Sequence, residues 1–241
     1  MNYMIYIMSD IHGLYDRYLK MLKKIDLRPE DHLYILGDVI DRGDMGIDIL
    51  IDLMERDNVE LFLGNHEHMM LTYLNGMDRI SWFYEANGGM VTYKHFMALK
   101  EEKRDDILAY LYDTTIVKHL EINGHHYVLS HTGAPTDGKD LYTRDYMFNL
   151  MMVQDMVWNH FPYSIDLLSV KEATKIPQTF ISGHIVTRRL QDSDKIFEKD
   201  FGNGYTWINI DCGCALGKNF GYLSCLAIDG DGEIKEIYYV K

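Results

Sequence analysis

Three short stretches and two isolated histidines hold the side chains best suited to binding metal ions and moving protons. They are Asp10-Ile11-His12-Gly13, Gly37-Asp38-Val39-Ile40-Asp41-Arg42-Gly43 and Gly64-Asn65-His66-Glu67, followed by His131 and His184. Imidazole nitrogens with carboxylate and amide oxygens, and no cysteine, suit Mn, Fe or Zn better than a soft metal. A carboxylate in the middle of such a set, such as Asp38, could bridge two ions. Two ions roughly 3.5–4 Å apart can activate a bridging hydroxide and clamp a transferring phosphoryl group. A phosphate monoester dianion repels an anionic nucleophile, and divalent ions offset that charge. Histidine near neutral pH can supply the proton that an alkoxide leaving group needs.

For these residues to meet, the chain must bring separated segments to one edge. The apolar run Tyr3 to Met8 reads as a buried strand, and Leu33 to Leu36 and Val59 to Leu63 read likewise. Between them, Tyr15, Tyr18, Leu19 and Leu22 recur at helical spacing, as do Ile47, Leu50, Ile51 and Met54. The order β-α-β-α-β predicts parallel strands with right-handed crossovers. Their carboxyl ends then share one edge, where open α/β sheets bind ligands. Residues 66 to about 113 read as mostly helical, with a Gly88-Gly89 break and a solvated charged face from Lys100 to Asp106. Asn123-Gly124 marks a hairpin between Thr115–Ile122 and His126–Leu129. Helix is expected over 141–175, and strands at 178–182, 206–210, 222–228 and 234–240, the last after the turn Asp229-Gly230-Asp231-Gly232. One domain over 1–241, with a helical cap-like segment at about 66–113, is the simplest organisation.

The series DIHG, GDVIDRG and GNHE, with Asp10 to Asp38 28 residues apart and Asp38 to Asn65 27 apart, resembles the phosphoprotein phosphatase family. That family includes the bacterial-type Ser/Thr protein phosphatases and belongs to the calcineurin-like metallophosphoesterase superfamily. The resemblance implies an α/β fold, a four-layer α/β/β/α sandwich with two mixed sheets. It implies two divalent metal ions, Mn foremost, with Fe, Zn, Ni and Mg as alternatives. Asp10, His12 and Asp38 would hold the first ion. Asp38 would bridge to a second, completed by Asn65, His131 and His184. His66 would be the general acid, Asp41 would orient it, and Arg42 would hold phosphate oxygens with its fork geometry. The implied activity is hydrolysis of phosphate monoesters by a metal-bound hydroxide, most readily those of Ser/Thr phosphoproteins.

The sequence also departs from the family pattern. Ser9 stands where glycine is usual, and Leu63 where many protein phosphatases carry arginine. Trp158-Asn159-His160 replaces a Trp-x-Arg of several bacterial members, so Arg144, His160, Arg188 and Arg189 all remain candidates for a second phosphate-binding residue. That gap motivates an alternative substrate, a dinucleoside polyphosphate such as diadenosine tetraphosphate. The intact Asp41-Arg42 weighs against it, since symmetrical dinucleoside tetraphosphatases often replace that aspartate.

The 241 residues carry 24 Lys+Arg against 37 Asp+Glu, a formal net charge of −13. That balance disfavours nucleic acid and anionic membranes as partners, and leaves a phosphoprotein or small phosphate ester. Three cysteines without a CxxC spacing suggest reduced, buried thiols and a cytoplasmic setting. The apolar run near the N-terminus is too short for a signal-peptide core or a membrane span. Gly213 to Lys218 lacks phosphate-loop spacing, and Glu67 reads equally as a helix N-terminal charge or a site residue.

Overall fold

The computed structural model describes residues 3–78, 80–132, 139–159, 175–202, 204–217 and 220–241. The first half runs β1 (Met4–Met8), α1 (Tyr15–Ile25), β2 (His32–Ile35), α2 (Gly46–Met54), β3 (Val59–Leu61), α3 (Asn65–Leu74), α4 (Gly89–Ala98) and α5 (Glu101–Tyr112). The second runs β4 (Thr115–Ile122), β5 (His125–Ser130), β6 (Leu141–Tyr142), α6 (Gln154–Trp158), β7 (Thr179–Ser182), β8 (Phe197–Asp200), β9 (Thr206–Asn209), β10 (Leu223–Asp229) and β11 (Ile234–Val240).

These strands form two mixed sheets, ordered β11-β10-β1-β2-β3 and β6-β4-β5-β7-β9-β8. Strands β1, β2 and β3 are parallel, as are β5, β7 and β9. Side chains alternate between the two faces, and both faces of β1 are covered, so Met4–Met8 is apolar throughout. Ile5 and Ile7 of β1, with Leu226 and Ile228 of β10, join Leu129, Ile181 and Ile208 in a core between the sheets. Tyr6 and Met8, with Cys225 and Ala227, face the other way into the larger core that includes Tyr18 and Met21 of α1. The two mixed sheets with flanking helices are the architecture the motif series implied.

Two local expectations change. Residues 141–142 are a short edge strand paired with β4 through Thr115 and Tyr142, followed by 3-10 turns at Thr143–Tyr146 and Leu150–Val153. Only Gln154–Trp158 of the anticipated 141–175 helix is helical among the described residues; 160–174 lie outside them. Tertiary pairing wins there over a weak helical pattern. Strand β8 reads Phe-Glu-Lys-Asp, charged along its length as suits an exposed edge, and so gave no apolar signal. In α2, Ile49 and Leu53 are buried while Ile51 and Met54 are half-buried, so the core-facing stripe is turned from its sequence reading. All three cysteines are buried and unpaired, and burial pushes the Cys212 and Cys214 thiols up to about 12. No helix among the described residues is long and apolar enough to cross a membrane.

Candidate metal centre and catalytic pocket

The loops leaving β1, β2, β5 and β7, with the start of α3 after β3, bring Asp10, His12, Asp38, Asn65, His66, His131 and His184 together. The turns are tight. Of nine described non-glycine residues with positive φ, six are Asp10, His12, Asp38, Asp41, Arg42 and His184. Left-handed backbone costs roughly 1–2 kcal/mol per ordinary residue, and such strain gathers at functional sites. Gly64 and Gly183 allow the close approach: a Cβ on Gly64 would collide with Asp38, and one on Gly183 with Ser9 and Asp10.

Asp38 sits at the centre. Its Oδ2 lies 3.7 Å from His12 Nε2 and 3.8 Å from His66 Nε2, while its Oδ1 lies 3.5 Å from His131 Nε2. His12 Nε2 is 4.0 Å from Asp10 Oδ1. Two groups of ligand atoms result, His12/Asp38/His66 and Asp38/His131/His184, each with all its atoms within 4.8 Å of one another. Asn65 Oδ1 joins the second group, 3.0 Å from His131 Nε2 and 2.9 Å from His184 Nδ1.

The donor chemistry fits cations. His12 Nδ1 faces the Ile40 carbonyl at 3.2 Å and His131 Nδ1 the Leu36 carbonyl at 2.6 Å. A carbonyl only accepts, so each Nδ1 carries the proton and each Nε2 offers a lone pair toward Asp38. His131 Nε2 and Asn65 Oδ1 then face each other as two acceptors, which a cation would relieve. Burial, with the nearby charge of Asp211, holds the Asp10 carboxyl well above the usual range, and burial with Asp10 and Glu67 does the same to Asp38. Burial pushes His12 and His66 well down, and His131 down to about 4. Crowded carboxylates beside imidazoles with free Nε2 lone pairs have the chemistry that suits divalent ions.

Around this centre, His66 Nδ1–H donates to Asp41 Oδ2 at 2.7 Å, with both side chains buried. His66 Nε2 lies 3.3 Å from Arg42 Nη2. Burial raises the Asp41 carboxyl to about 7 against the pull of Thr92, Trp82 and Arg42. His66 and Arg42 open onto a cavity of about 460 Å³, which Trp158, Arg189 and Asp211 also line. The Ser9 hydroxyl, standing in place of glycine, donates to Asp10 Oδ2.

The structure separates the four candidates for a second phosphate-binding residue. Arg144 is paired with Asp113 and stacked on Tyr142 at 4.2 Å. Arg188 is held by Asp194, with Nε and Nη2 on its two oxygens at 2.5 and 3.0 Å. His160 lies outside the described residues. Arg189 lines the cavity and forms no ion pair among the described residues.

Two residues gain places in the site that the motifs left unassigned. Asp211, just beyond β9, is buried in the cavity wall; burial raises its carboxyl to about 6, against Gly213 N–H, Arg42 and Arg189. Its sequence signal was its place in the tail stretch Asn209-Ile210-Asp211-Cys212-Gly213, at a strand's carboxyl end. Glu67 is fully buried and accepts from four backbone N–H groups: Asp38 at 2.8 Å, Val39 at 2.9 Å, Gly64 at 3.1 Å and Ile40 at 3.3 Å. It ties the loop after β2 to the start of α3. The segment from Gly213 to Gly217 is a 3-10 turn whose carbonyls at Cys214 and Gly217 accept from Arg17, which presents acceptors to a cation.

A sequence model of the calcineurin-like phosphoesterases matches residues 3–202, and the chain belongs to that family. Membership implies divalent metal ions, and the two His/Asp groups could hold such ions. Over 76 residues the chain is 37% identical to the symmetrical bis(5'-nucleosyl)-tetraphosphatase of Enterobacter sp. (strain 638). The counterpart of Salmonella arizonae is 36% identical over the same length. The matched stretch covers 31% of this chain and 27% of each relative. Among solved structures, the cold-active protein-tyrosine phosphatase of a psychrophilic Shewanella species aligns with a TM-score of 0.65 at 18% identity, covering 99% of this chain and 80% of that one. A putative diadenosine tetraphosphatase aligns at 0.59 and 16%, covering 99% and 97%. At these identities the likeness is one of fold.

Proposed function

We propose that this chain is a metal-dependent phosphatase that hydrolyses phosphate monoesters with alkoxide leaving groups, Ser/Thr phosphoproteins foremost. Asp10, His12 and Asp38 would hold one divalent ion, and Asp38, Asn65, His131 and His184 a second, with Mn the expected metal. When bound, such ions supply Lewis acidity and offset phosphate charge. Arg42 and Arg189 bind phosphate oxygens from the cavity wall. A bound phosphate competes for Arg42 and so frees His66 Nε2 to take up a proton from solvent, and the imidazolium passes that proton to the departing oxygen. Asp41, accepting from Nδ1–H, stabilises the imidazolium and fixes its direction. The buried, unpaired thiols support a reducing, cytoplasmic setting.

The observation that carries this reading is the buried His66–Asp41 pair at 2.7 Å, with Nε2 turned to the cavity. A serine or threonine alkoxide is a strong base and leaves poorly without a proton. A nucleotide leaving group is a phosphate, with a second pKa of about 6, and needs none. An intact proton-delivery pair therefore favours the monoester.

The identity to symmetrical bis(5'-nucleosyl)-tetraphosphatases over 76 residues favours a second reading, hydrolysis of dinucleoside tetraphosphates. Comparison of kcat/KM for a phosphoserine peptide and diadenosine tetraphosphate separates the two. The peptide is expected to lead, and a tenfold preference for the dinucleotide would overturn the first reading.

A further inference from the structure

The helical segment between β3 and β4 contributes no ligand to the described metal groups beyond the Asn65–Glu67 turn, yet it packs against the site, where Ala86 and Asn87 line the cavity. Trp82, in the 3-10 turn Ser81–Phe83, is fully buried. Its Nε1–H donates to Asp41 Oδ2 at 2.8 Å, the same oxygen that accepts from His66. From α4, Thr92 Oγ1 accepts the Asp41 backbone N–H at 3.0 Å. Asp41 Oδ1 has no hydrogen-bond partner among the described residues.

A buried indole needs an acceptor, and a backbone carbonyl would serve. Here the acceptor is a carboxylate oxygen already committed to a histidine. Two donors converging on Oδ2, with Oδ1 left over, fix the rotation of the carboxylate. Thr92 fixes the backbone that carries it, at a residue with φ of 67°.

The surroundings hold the indole still. Tyr73, Phe83 and Tyr93 surround it with ring centroids at 5.7, 5.3 and 6.1 Å. The Gly88-Gly89 pair, a bare helix break in the sequence, gains a purpose. A Cβ on Gly89 would collide with the indole of Trp82, and one on Gly88, at φ +74°, would lie 2.8 Å from the Arg42 nitrogen. The two glycines let this segment close against both Trp82 and the Asp41-Arg42 backbone.

We propose that Trp82 and Thr92 are positioning residues that clamp Asp41 so that His66 Nε2 faces the departing oxygen, and that Gly88-Gly89 exists to permit the clamp. The assignment rests on the reading of His66 as the proton donor. Neither residue touches substrate or metal; both act through Asp41.

The test is a leaving-group comparison on the metal-loaded full chain, using a phosphoserine peptide and 2,4-dinitrophenyl phosphate, whose phenolate leaves unaided. Trp82→Phe keeps a ring and removes the N–H. Thr92→Val removes the acceptor, and Thr92→Ser keeps it. Proton delivery by a placed histidine contributes roughly 10²–10⁴-fold, and misdirecting it forfeits part of that. Trp82→Phe and Thr92→Val are expected to lose about tenfold in kcat on the peptide, with KM unchanged and the activated ester little affected. Thr92→Ser is expected to restore the rate. The low-field Nδ1–H proton resonance of His66, read on metal-free protein, is expected to shift or broaden in Trp82→Phe and remain in Thr92→Ser.

His66→Asn is measured beside them. If it lowers both substrates equally, the proton-donor reading falls and the clamp with it. If it discriminates while Trp82→Phe and Thr92→Val lose equally on both substrates or not at all, the clamp alone is overturned. Should Trp82→Phe not fold, the contrast between Thr92→Val and Thr92→Ser decides.

Discussion

Replacing Glu67 by glutamine keeps the shape of the side chain and removes its ability to accept on both ends. Oε2 accepts from Asp38 and Gly64, at 2.8 and 3.1 Å, and Oε1 from Val39 and Ile40, at 2.9 and 3.3 Å. Whichever oxygen becomes the amide NH2, two backbone donors then face a donor. A buried donor left unsatisfied costs roughly 1–3 kcal/mol. Placing the amide on the Oε1 side sacrifices the longer pair, so the lower half of the combined range applies, about 2–4 kcal/mol. For a chain of this size each kcal/mol moves Tm by about 2–4 °C, so a central loss of about 3 kcal/mol lowers Tm by about 6–12 °C. Burial pushes the Glu67 carboxyl up to about 7, while the N–H donors and the start of α3 favour the anion. Thermal unfolding of metal-free protein at pH 8, where the carboxylate is ionised, is the assay. A shift under about 2 °C would refute the view that Glu67 holds the Asp38 loop to α3.

Arg189→Ala should raise KM for a phosphoserine peptide about tenfold, as for loss of one charge-assisted phosphate contact. Arg188→Ala should leave KM unchanged, because that guanidinium is held by Asp194; steady-state kinetics on both variants checks the contrast. Burial alone would raise the Glu60 carboxyl, but His32, Lys118 and the Thr115 hydroxyl together hold it down at about 2. Its folded pKa is depressed, so its contribution to stability is present above the unfolded value of 4.5 and is lost as pH falls toward 2. Urea unfolding against pH should show a shallower acid limb in Glu60→Gln, and an unchanged limb would count against the pairing. The net charge of −13 repels acidic substrates at long range. At low salt a neutral or basic phosphopeptide should therefore have a higher kcat/KM than a strongly acidic one, and salt should compress the difference.

The parts of this protein legible in its sequence are those where one local pattern has one meaning. The apolar run of β1 marked a buried strand, and the polar residues at the strand ends marked side chains that the fold brings together around Asp38. What was hidden depends on tertiary meeting. Glu67 read equally as a helix N-terminal charge or a site residue, because its donors at Asp38 to Ile40 lie far back in the chain. Trp82 and Thr92 meet Asp41 across 41 and 51 positions, and nothing local marks them. Arg144, Arg188 and Arg189 were equivalent as letters, and the positions of Asp113 and Asp194 set two of them aside. The edge strand at 141–142 exists because β4 offers it a partner.

The central claim is that Asp38 bridges two ions in a phosphoesterase site, and a metal titration tests it most directly. Metal-free protein is titrated with Mn while hydrolysis of a phosphoserine peptide is followed, for the native chain and for Asp38→Asn. The account predicts negligible rate without metal, a rise that saturates at two ions per chain, and loss of at least about 10³-fold in Asp38→Asn, in keeping with several kcal/mol of charge stabilisation by the ions. Full activity in the absence of metal, or a native rate in Asp38→Asn, would contradict it.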